Sequence, residues 1–323
     1  MNTIEKALQK QQQKLADEQN NDAVSSTPEN TAAAAEEQQS SIEKAAAWPS
    51  PEKSADVKAK AKLEDDSDDA ADLTNVQGHS QYIELDLALL EAKGFVSTNE
   101  QRQLINEEFR AIKRKVLENA FGPLSSSLNN SNIIMVTSSN PGEGKTFTAI
   151  NLALSIALEK NKTVLLVDAD VLRPNVMRTL ECTNQQGLME YLLGEKSDIS
   201  EVMYKTSLPK LRIIPAGKSH HLSTELLASE KMYEAVEEFA NRYTDRVVIV
   251  DTPPLLGINE TAVLANLAGQ AVVVTEEGKT RLVDIQNAVA QLNPEMAIGF
   301  IVNKAQKVNG ATGGYGYYYA SAN

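Results

Sequence analysis

The stretch Ile133-Ile134-Met135-Val136-Thr137-Ser138-Ser139-Asn140-Pro141-Gly142-Glu143-Gly144-Lys145-Thr146-Phe147-Thr148 constrains the fold more than any other part of the chain. A β-branched run reaches a Pro-Gly turn, Gly144-Lys145-Thr146 follows, and Ala149 to Leu158 is apolar at helical spacing. Strand, tight loop and helix in that order make a phosphate-binding loop. Its backbone N–H groups and the positive end of the new helix favour a polyphosphate, Lys145 can reach the β/γ oxygens, and the Thr146 hydroxyl can ligate Mg²⁺. The usual pattern opens on a glycine separated by four residues from Gly144; here that place is Ser139.

At 323 residues with 42% hydrophobic, the chain can hold one large domain or two small ones. Residues 1–80 form neither. They run through Gln-rich, Ala/Glu-rich, Lys-rich and Asp-rich patches with Trp48 the only aromatic, too little apolar surface to offset the cost of ordering. We expect an acidic, disordered, low-complexity region there. It carries 8 Lys/Arg against 16 Asp/Glu, which leaves 23 against 28, a net of −5, for the other 243 residues. The chain therefore lacks the basic footprint of a nucleic-acid binder. Ile4, Ala7, Leu8 and Leu15 leave residues 3–16 open as a short amphipathic helix or a frayed one. No run approaches the roughly 20 apolar residues of a membrane span and no secretory apolar segment opens the chain, so the expected location is the cytoplasm. The single cysteine, Cys182, has no intrachain partner for a disulfide and reads as structural.

Along the chain, Ile83 to Ala92 predicts a short helix ending near Gly94, and Ser97 to Glu100 offers cap residues for a second helix from Glu100 to Ala120. That helix sets Glu107, Arg110, Lys113 and Arg114 on one face, with Leu104, Ile105, Phe109, Ile112 and Val116 for apolar contact; charged faces of this kind are usually only solvated. After the phosphate loop, strand Thr163 to Val167 ends in Asp168-Ala169-Asp170 with Arg173 beyond. Carboxylates at the C-terminal ends of parallel strands face the ligand crevice, where they can hold a metal's water or accept a proton. Gly187 to Leu193 predicts a helix, Leu211 to Ile214 a strand and Glu225 to Tyr243 a helix. Strand Arg246 to Val250 then ends in Asp251, the second acidic strand end that a Mg-nucleotide site requires. Helix 259–268, strand Ala271 to Val274, helix Arg281 to Leu292 and strand Ile298 to Val302 continue the alternation.

The expected fold is α/β, a mostly parallel sheet of the P-loop NTPase type with helices on both faces, in one domain over residues 81–306. His79, and His220-His221 after Pro215-Ala216-Gly217, have no ligand-spaced companions and read as surface loop. Residues 307–323 read as a Gly/Tyr-rich tail. It holds four of the nine tyrosines, Tyr315, Tyr317, Tyr318 and Tyr319, with no helical or strand period, so their phenols are expected to be exposed. Behind a phosphoryl-transfer site, four accessible hydroxyls look like a substrate.

Three nucleotide-site motifs in this order, with Gly142-Glu143-Gly144-Lys145-Thr146, Leu165-Leu166-Val167-Asp168-Ala169-Asp170 and Val248-Ile249-Val250-Asp251 at their centres, resemble the bacterial tyrosine kinases of polysaccharide biosynthesis over roughly residues 81–319. The tail and the 83–120 segment look most like the exosortase-associated tyrosine autokinases. The resemblance implies an ATP- and Mg²⁺-dependent kinase. Gly142, Glu143, Gly144, Lys145, Thr146, Phe147 and Arg173 would line the nucleotide, and Asn303, by analogy with related ATPases, would read adenine. Thr146, Asp168 and Asp251 would hold the metal, and Lys145, Asp168, Asp170 and Asp251 would be catalytic, with Asp170 assisting the metal or activating the incoming tyrosine. Tyr315, Tyr317, Tyr318 and Tyr319 would be phosphorylated in trans by a neighbour in a ring-like homo-oligomer.

Glu107, Arg110 and Lys113 match the family's E-x2-R-x2-R oligomerisation motif except for the final lysine, which lacks the planar fork of arginine; Arg114 is an alternative supplier of the contact. The family often carries two membrane spans in the same chain. Their absence implies a separate membrane activator, or polysaccharide co-polymerase, that recruits the kinase to the inner face of the membrane, and a cognate phosphatase. The competing reading is a partition- or placement-type ATPase switch, which usually has an extra lysine near the start of its phosphate loop, where Ser138, Ser139 and Asn140 stand here. A third is a non-catalytic scaffold, disfavoured by the intact Lys145, Thr146, Asp168, Asp170 and Asp251.

Overall fold

The computed structural model describes residues 81–97, 103–123, 125–183 and 185–305. Residues 1–80, with the 3–16 segment, Trp48 and His79, and residues 306–323, with Tyr315, Tyr317, Tyr318 and Tyr319, lie outside the described residues, as does the expected Glu100 start of the second helix. The first elements are a short strand β1 (Tyr82–Ile83) and helix α1 (Leu87–Ala92). Ile83 is thus in a strand, and the helix begins where Asp86 Oδ1 accepts from Leu89 N at 2.9 Å. It stops at Gly94, whose φ of +81° costs glycine nothing.

Helix α2 (Leu104–Phe121) is followed by β2 (Ile133–Ser138), α3 (Lys145–Ala157), β3 (Thr163–Asp168) and the one-turn α4 (Val176–Thr179). Next come α5 (Leu188–Leu192), β4 (Tyr204–Thr206), β5 (Leu211–Ile214), α6 (Ser223–Leu227) and α7 (Glu230–Asn241). The chain continues through β6 (Arg246–Asp251), α8 (Asn259–Ala265), β7 (Gln270–Glu276), α9 (Leu282–Val289) and β8 (Ala297–Asn303). The single helix expected over 225–243 is two. Ser229 breaks it because its hydroxyl caps the second helix at Met232 N.

The eight strands form one sheet in the order β1-β4-β5-β3-β6-β2-β7-β8. All neighbours are parallel except β4 and β5, so the first two strands at that edge run against the other six. Side chains alternate across the sheet. Ile134, Val136, Val164, Leu166, Val247 and Ile249 pack beneath α2 and α3, while Ile133, Leu165, Val167, Val248 and Val250 pack beneath α5 to α8. The strands are buried on both faces, which is why they read as unbroken apolar runs. Among the described residues no helix is long and apolar enough to cross a membrane.

Helix α3 carries the phosphate-loop lysine and is buried along nearly its whole length, with Thr148, Asn151 and Ser155 among its buried residues. Asn151 Oδ1 accepts from Val96 N at 2.7 Å and Phe147 meets Phe95 with ring centroids 4.8 Å apart, so the 95–97 segment is stitched to α3. Asn106 of α2 folds back onto the backbone of Ser97 instead of leaving Ser97 to cap the helix, whose N-cap is Gln103.

Lys113 turns inward. Its Nζ lies 2.6 Å from Glu159 and donates to Ser155 O at 3.2 Å, closing the C-terminal end of α3, where a cation also complements the helix dipole. The residue is only 8% exposed. Replacing Lys113 by Ala leaves Ser155 O and Glu159 without this donor, and the expected loss is about 1–3 kcal/mol by urea unfolding. A midpoint equal to the parent's would show that this contact does not hold α3.

Candidate active site

The register places the acidic strand ends side by side. In the pairing of β3 with β6, Asp168 stands opposite Asp251, and in that of β6 with β2, Asp251 stands opposite Val136. The loop leaving β2 therefore rises next to both carboxylates. It turns through Gly142 at φ +84° and Gly144 at φ +103° before α3 begins at Lys145. A Cβ at Gly144 would also displace the Asn303 side-chain amide. Helix α3 has no side-chain N-cap, and the N–H groups of Glu143, Gly144, Lys145 and Thr146 donate to no acceptor among the described residues. Unpaired donors at the positive end of a 13-residue helix form an anion cradle.

Five side chains converge below that cradle. Lys145 Nζ is 2.6 Å from Asp170 Oδ2, in a pair almost closed to solvent. Thr146 Oγ1 donates to Asp251 Oδ2 at 2.6 Å, while Asp251 Oδ1 is buried with no hydrogen-bond partner. Asp168 is fully buried. Its Oδ1 accepts from Asp170 N at 3.2 Å, and its Oδ2 accepts from Asn175 N at 3.1 Å and Val176 N at 3.0 Å. Asp168 thus shapes the loop that presents Asp170, and Arg173 N in turn donates to Asp170 Oδ1 at 3.1 Å. The Arg173 side chain is exposed at the rim.

Three carboxylates around one ammonium make an over-negative site. Burial, then Asp251 and Asp170 nearby, push the Asp168 carboxyl up to about 8, against the pull of two backbone N–H groups. Burial also raises Asp251, to about 6, opposed by Lys145 and the Thr146 hydroxyl. For Lys145, burial works to strip the proton, but Asp251, Asp170 and Asp168 outweigh it and its pKa is raised. The donor set fits a divalent cation. Hard carboxylate and hydroxyl oxygens face one another, one of them an orphaned lone-pair donor, and the local charge calls for a cation.

A second ring of contacts, absent from the sequence reading, holds the loop's outer edge. Glu143 is buried, with its Oε2 accepting from Asn140 N at 2.9 Å and its Oε1 from Thr280 Oγ1 at 2.5 Å. Asn303 Nδ2 donates to Glu143 O at 2.9 Å, and Lys304 Nζ donates to Gly142 O at 2.8 Å. Thr280 and Lys304 belong to no motif; the one signal in the sequence is position, Thr280 directly before the predicted helix from Arg281 and Lys304 two residues past the predicted strand ending at Val302. Ser139, in the place of the usual glycine, is buried with its Oγ unpartnered. Phe147 faces away from the cradle toward Phe95. Elsewhere, His220 Nδ1 accepts from Leu222 N in the turn before α6, and burial raises the pKa of the half-buried Cys182 thiol, as suits a structural cysteine. On α2, Glu107 and Arg110 pair with each other at 2.7 Å on the exposed face, while Lys113 of the same motif is committed inside the chain.

A family model described as an AAA domain matches residues 131–297, the stretch from the start of the phosphate loop's strand to the start of β8. The tyrosine-protein kinase YwqD of Bacillus subtilis is 31% identical over 229 residues, covering 70% of this chain and 91% of YwqD. EpsB of Ralstonia nicotianae is 34% identical over 189 residues, 58% of this chain, but the chain spans only 25% of that longer protein. Among solved structures, the kinase domain of the Escherichia coli tyrosine kinase ETK superposes with a TM-score of 0.54 at 25% identity, covering 73% of this chain and 94% of that domain. The chain belongs to the bacterial tyrosine-kinase family within the AAA-domain class.

Proposed function

We propose that the chain is an ATP-dependent protein-tyrosine autokinase that phosphorylates the Tyr315, Tyr317, Tyr318 and Tyr319 cluster of a neighbouring copy. The observation that carries this reading is the convergence of Lys145, Thr146, Asp170 and Asp251 beneath an uncapped helix N-terminus, in a chain that ends in four clustered tyrosines. In this reading the N–H groups of Glu143 to Thr146 bind the polyphosphate, and Gly142, Arg173 and Asn303 bound the nucleotide, while the Phe147 ring, packed on Phe95, does not. Thr146, Asp251 and Asp168 would hold Mg²⁺, which would offset the charge that develops on the phosphate oxygens.

Lys145 swings from Asp170 to the phosphate, which leaves Asp170 free as the base. A tyrosine oxygen attacks the γ-phosphorus, the bond to the β–γ bridging oxygen breaks with its electrons leaving on ADP, and Asp170 takes the phenolic proton. Glu107 and Arg110, with Arg114 beside them, present the subunit contact. Lys113 does not, because its ammonium is used within the chain. Recruitment to the inner face of the membrane by a separate activator, a cognate phosphatase and a role in exopolysaccharide assembly of the exosortase type follow from the family resemblance.

Purified chain incubated with Mg·ATP should gain phosphotyrosine in residues 315–319, and Lys145→Met should lower the rate at least about 100-fold with an unchanged fold. ATP hydrolysis without phosphotyrosine would favour the partition-type switch. Loss of neither activity in Lys145→Met would remove the site assignment.

The metal assignment has a pH signature. A carboxyl whose folded pKa lies above its unfolded value near 3.8 binds its proton more tightly in the folded state, so it lowers stability as pH rises through that window. Asp251→Asn should therefore match the parent only below the unfolded value near 3.8, and melt higher by on the order of 5 °C at pH 8 without ligand. With Mg·ADP, which needs the ionised carboxylate, the order should reverse. A variant that melts lower than the nucleotide-free parent at pH 8 would contradict the assignment.

A further inference from the structure

We propose that Lys304 is a positioning residue of the nucleotide site, aiming the phosphate-loop N–H groups from one residue beyond β8. The inference rests on the phosphate-loop reading above. In a planar trans peptide the carbonyl and the following N–H point in opposite directions. Lys304 Nζ draws Gly142 O outward at 2.8 Å, which turns Glu143 N–H toward the cradle, and Asn303 Nδ2 does the same for Glu143 O at 2.9 Å, which turns Gly144 N–H inward. These are two of the N–H groups without an acceptor among the described residues. The two side chains thus preset donors that would otherwise have to be ordered when the phosphate binds.

Lys304 is itself held in place. Its Nζ lies 3.0 Å from Glu276 Oε2 at the end of β7, so the ammonium bridges a strand end and the loop. Glu276 N accepts no such role but donates to Thr280 Oγ1 at 2.8 Å, and that hydroxyl reaches Glu143 Oε1, which ties the same rim from a second direction. The backbone of Lys304 sits at φ +57°, a left-handed conformation that a lysine adopts only at a cost. A glycine would take it freely. The side chain's reach to Gly142 O gives a reason for lysine at a position whose backbone favours glycine.

The test uses the full chain with Lys304→Met, Lys304→Gly and Lys304→Arg, titrated calorimetrically with Mg·ADP and with magnesium tripolyphosphate, which has no base or sugar. The Met and Gly variants should bind both probes more weakly by a similar factor, about fivefold, and Arg should restore part of the loss. Steady-state KM for ATP should rise by that factor while kcat moves less. Lys304→Gly should melt no lower than the parent, because the left-handed backbone is relieved, so weaker binding cannot be assigned to a damaged fold. Unchanged affinity for both probes would reduce Lys304 to a surface pair, and a loss confined to ADP would make it a contact to the base or sugar; either result overturns the proposal. A parent chain that binds neither probe removes the phosphate-loop reading and this inference together, whereas a parent that binds both and variants that match it remove this inference alone.

Discussion

The buried pair of Lys145 with Asp170, flanked by Asp168 and Asp251, is the interaction on which the rest of the structure depends. One ammonium cannot offset three carboxylates in so little water, and two of the carboxyls respond with raised pKa values, about 8 for Asp168 and about 6 for Asp251. An arrangement that expensive persists only where surrounding elements fix it. The parallel sheet does so by register, setting Asp168 opposite Asp251, and helix α3 does so by carrying Lys145 and Thr146 on its first turn. The fold thus concentrates negative charge where a Mg-nucleotide would bring positive charge, and stability in the empty state is lower than a neutral core of the same size would give.

Because α3 bears that load, its supports come from several elements. Lys113 closes its C-terminal end, Asn151 and Phe147 tie it to residues 95–97, and its first residues follow a loop gripped by Thr280, Asn303 and Lys304. The same helix α2 that anchors Lys113 exposes Glu107 and Arg110 on its outer face. A subunit contact made there would press on the helix that carries the phosphate-loop lysine. Under the proposed function, association at α2 would bear on nucleotide binding at α3, which is a route for coupling between them.

The sequence was most legible where one physical signal dominated. Val248 to Val250 and Val164 to Val167 are buried on both faces, and an unbroken apolar run ending in aspartate has few other structures open to it. Strands β1 and β4 were not legible, because two- and three-residue edge strands carry too little pattern; their pairing is set by the chain they lie against. Residues 225–243 kept a helical period across Ser229, and only the hydroxyl's cap on Met232 shows the break. Lys113 had the spacing of its charged neighbours but lies on the edge of the apolar stripe with Phe109 and Val116, where a long stem is covered and its head finds Ser155 O and Glu159. Thr280 and Lys304 act through one backbone carbonyl, Gly142 O, and the carboxylates of Glu143 and Glu276, brought together only by the fold.

The central claim, that this phosphate loop transfers phosphoryl groups between chains onto tyrosine, is most directly tested by mixing two complementary chains. One is Lys145→Met with its tyrosines intact; the other has a functional site and phenylalanine at Tyr315, Tyr317, Tyr318 and Tyr319. With Mg·ATP, tandem mass spectrometry should find phosphotyrosine on the Lys145→Met chain in the mixture and on neither chain alone. ATP turnover by the second chain with no phosphotyrosine on the first would contradict transfer in trans.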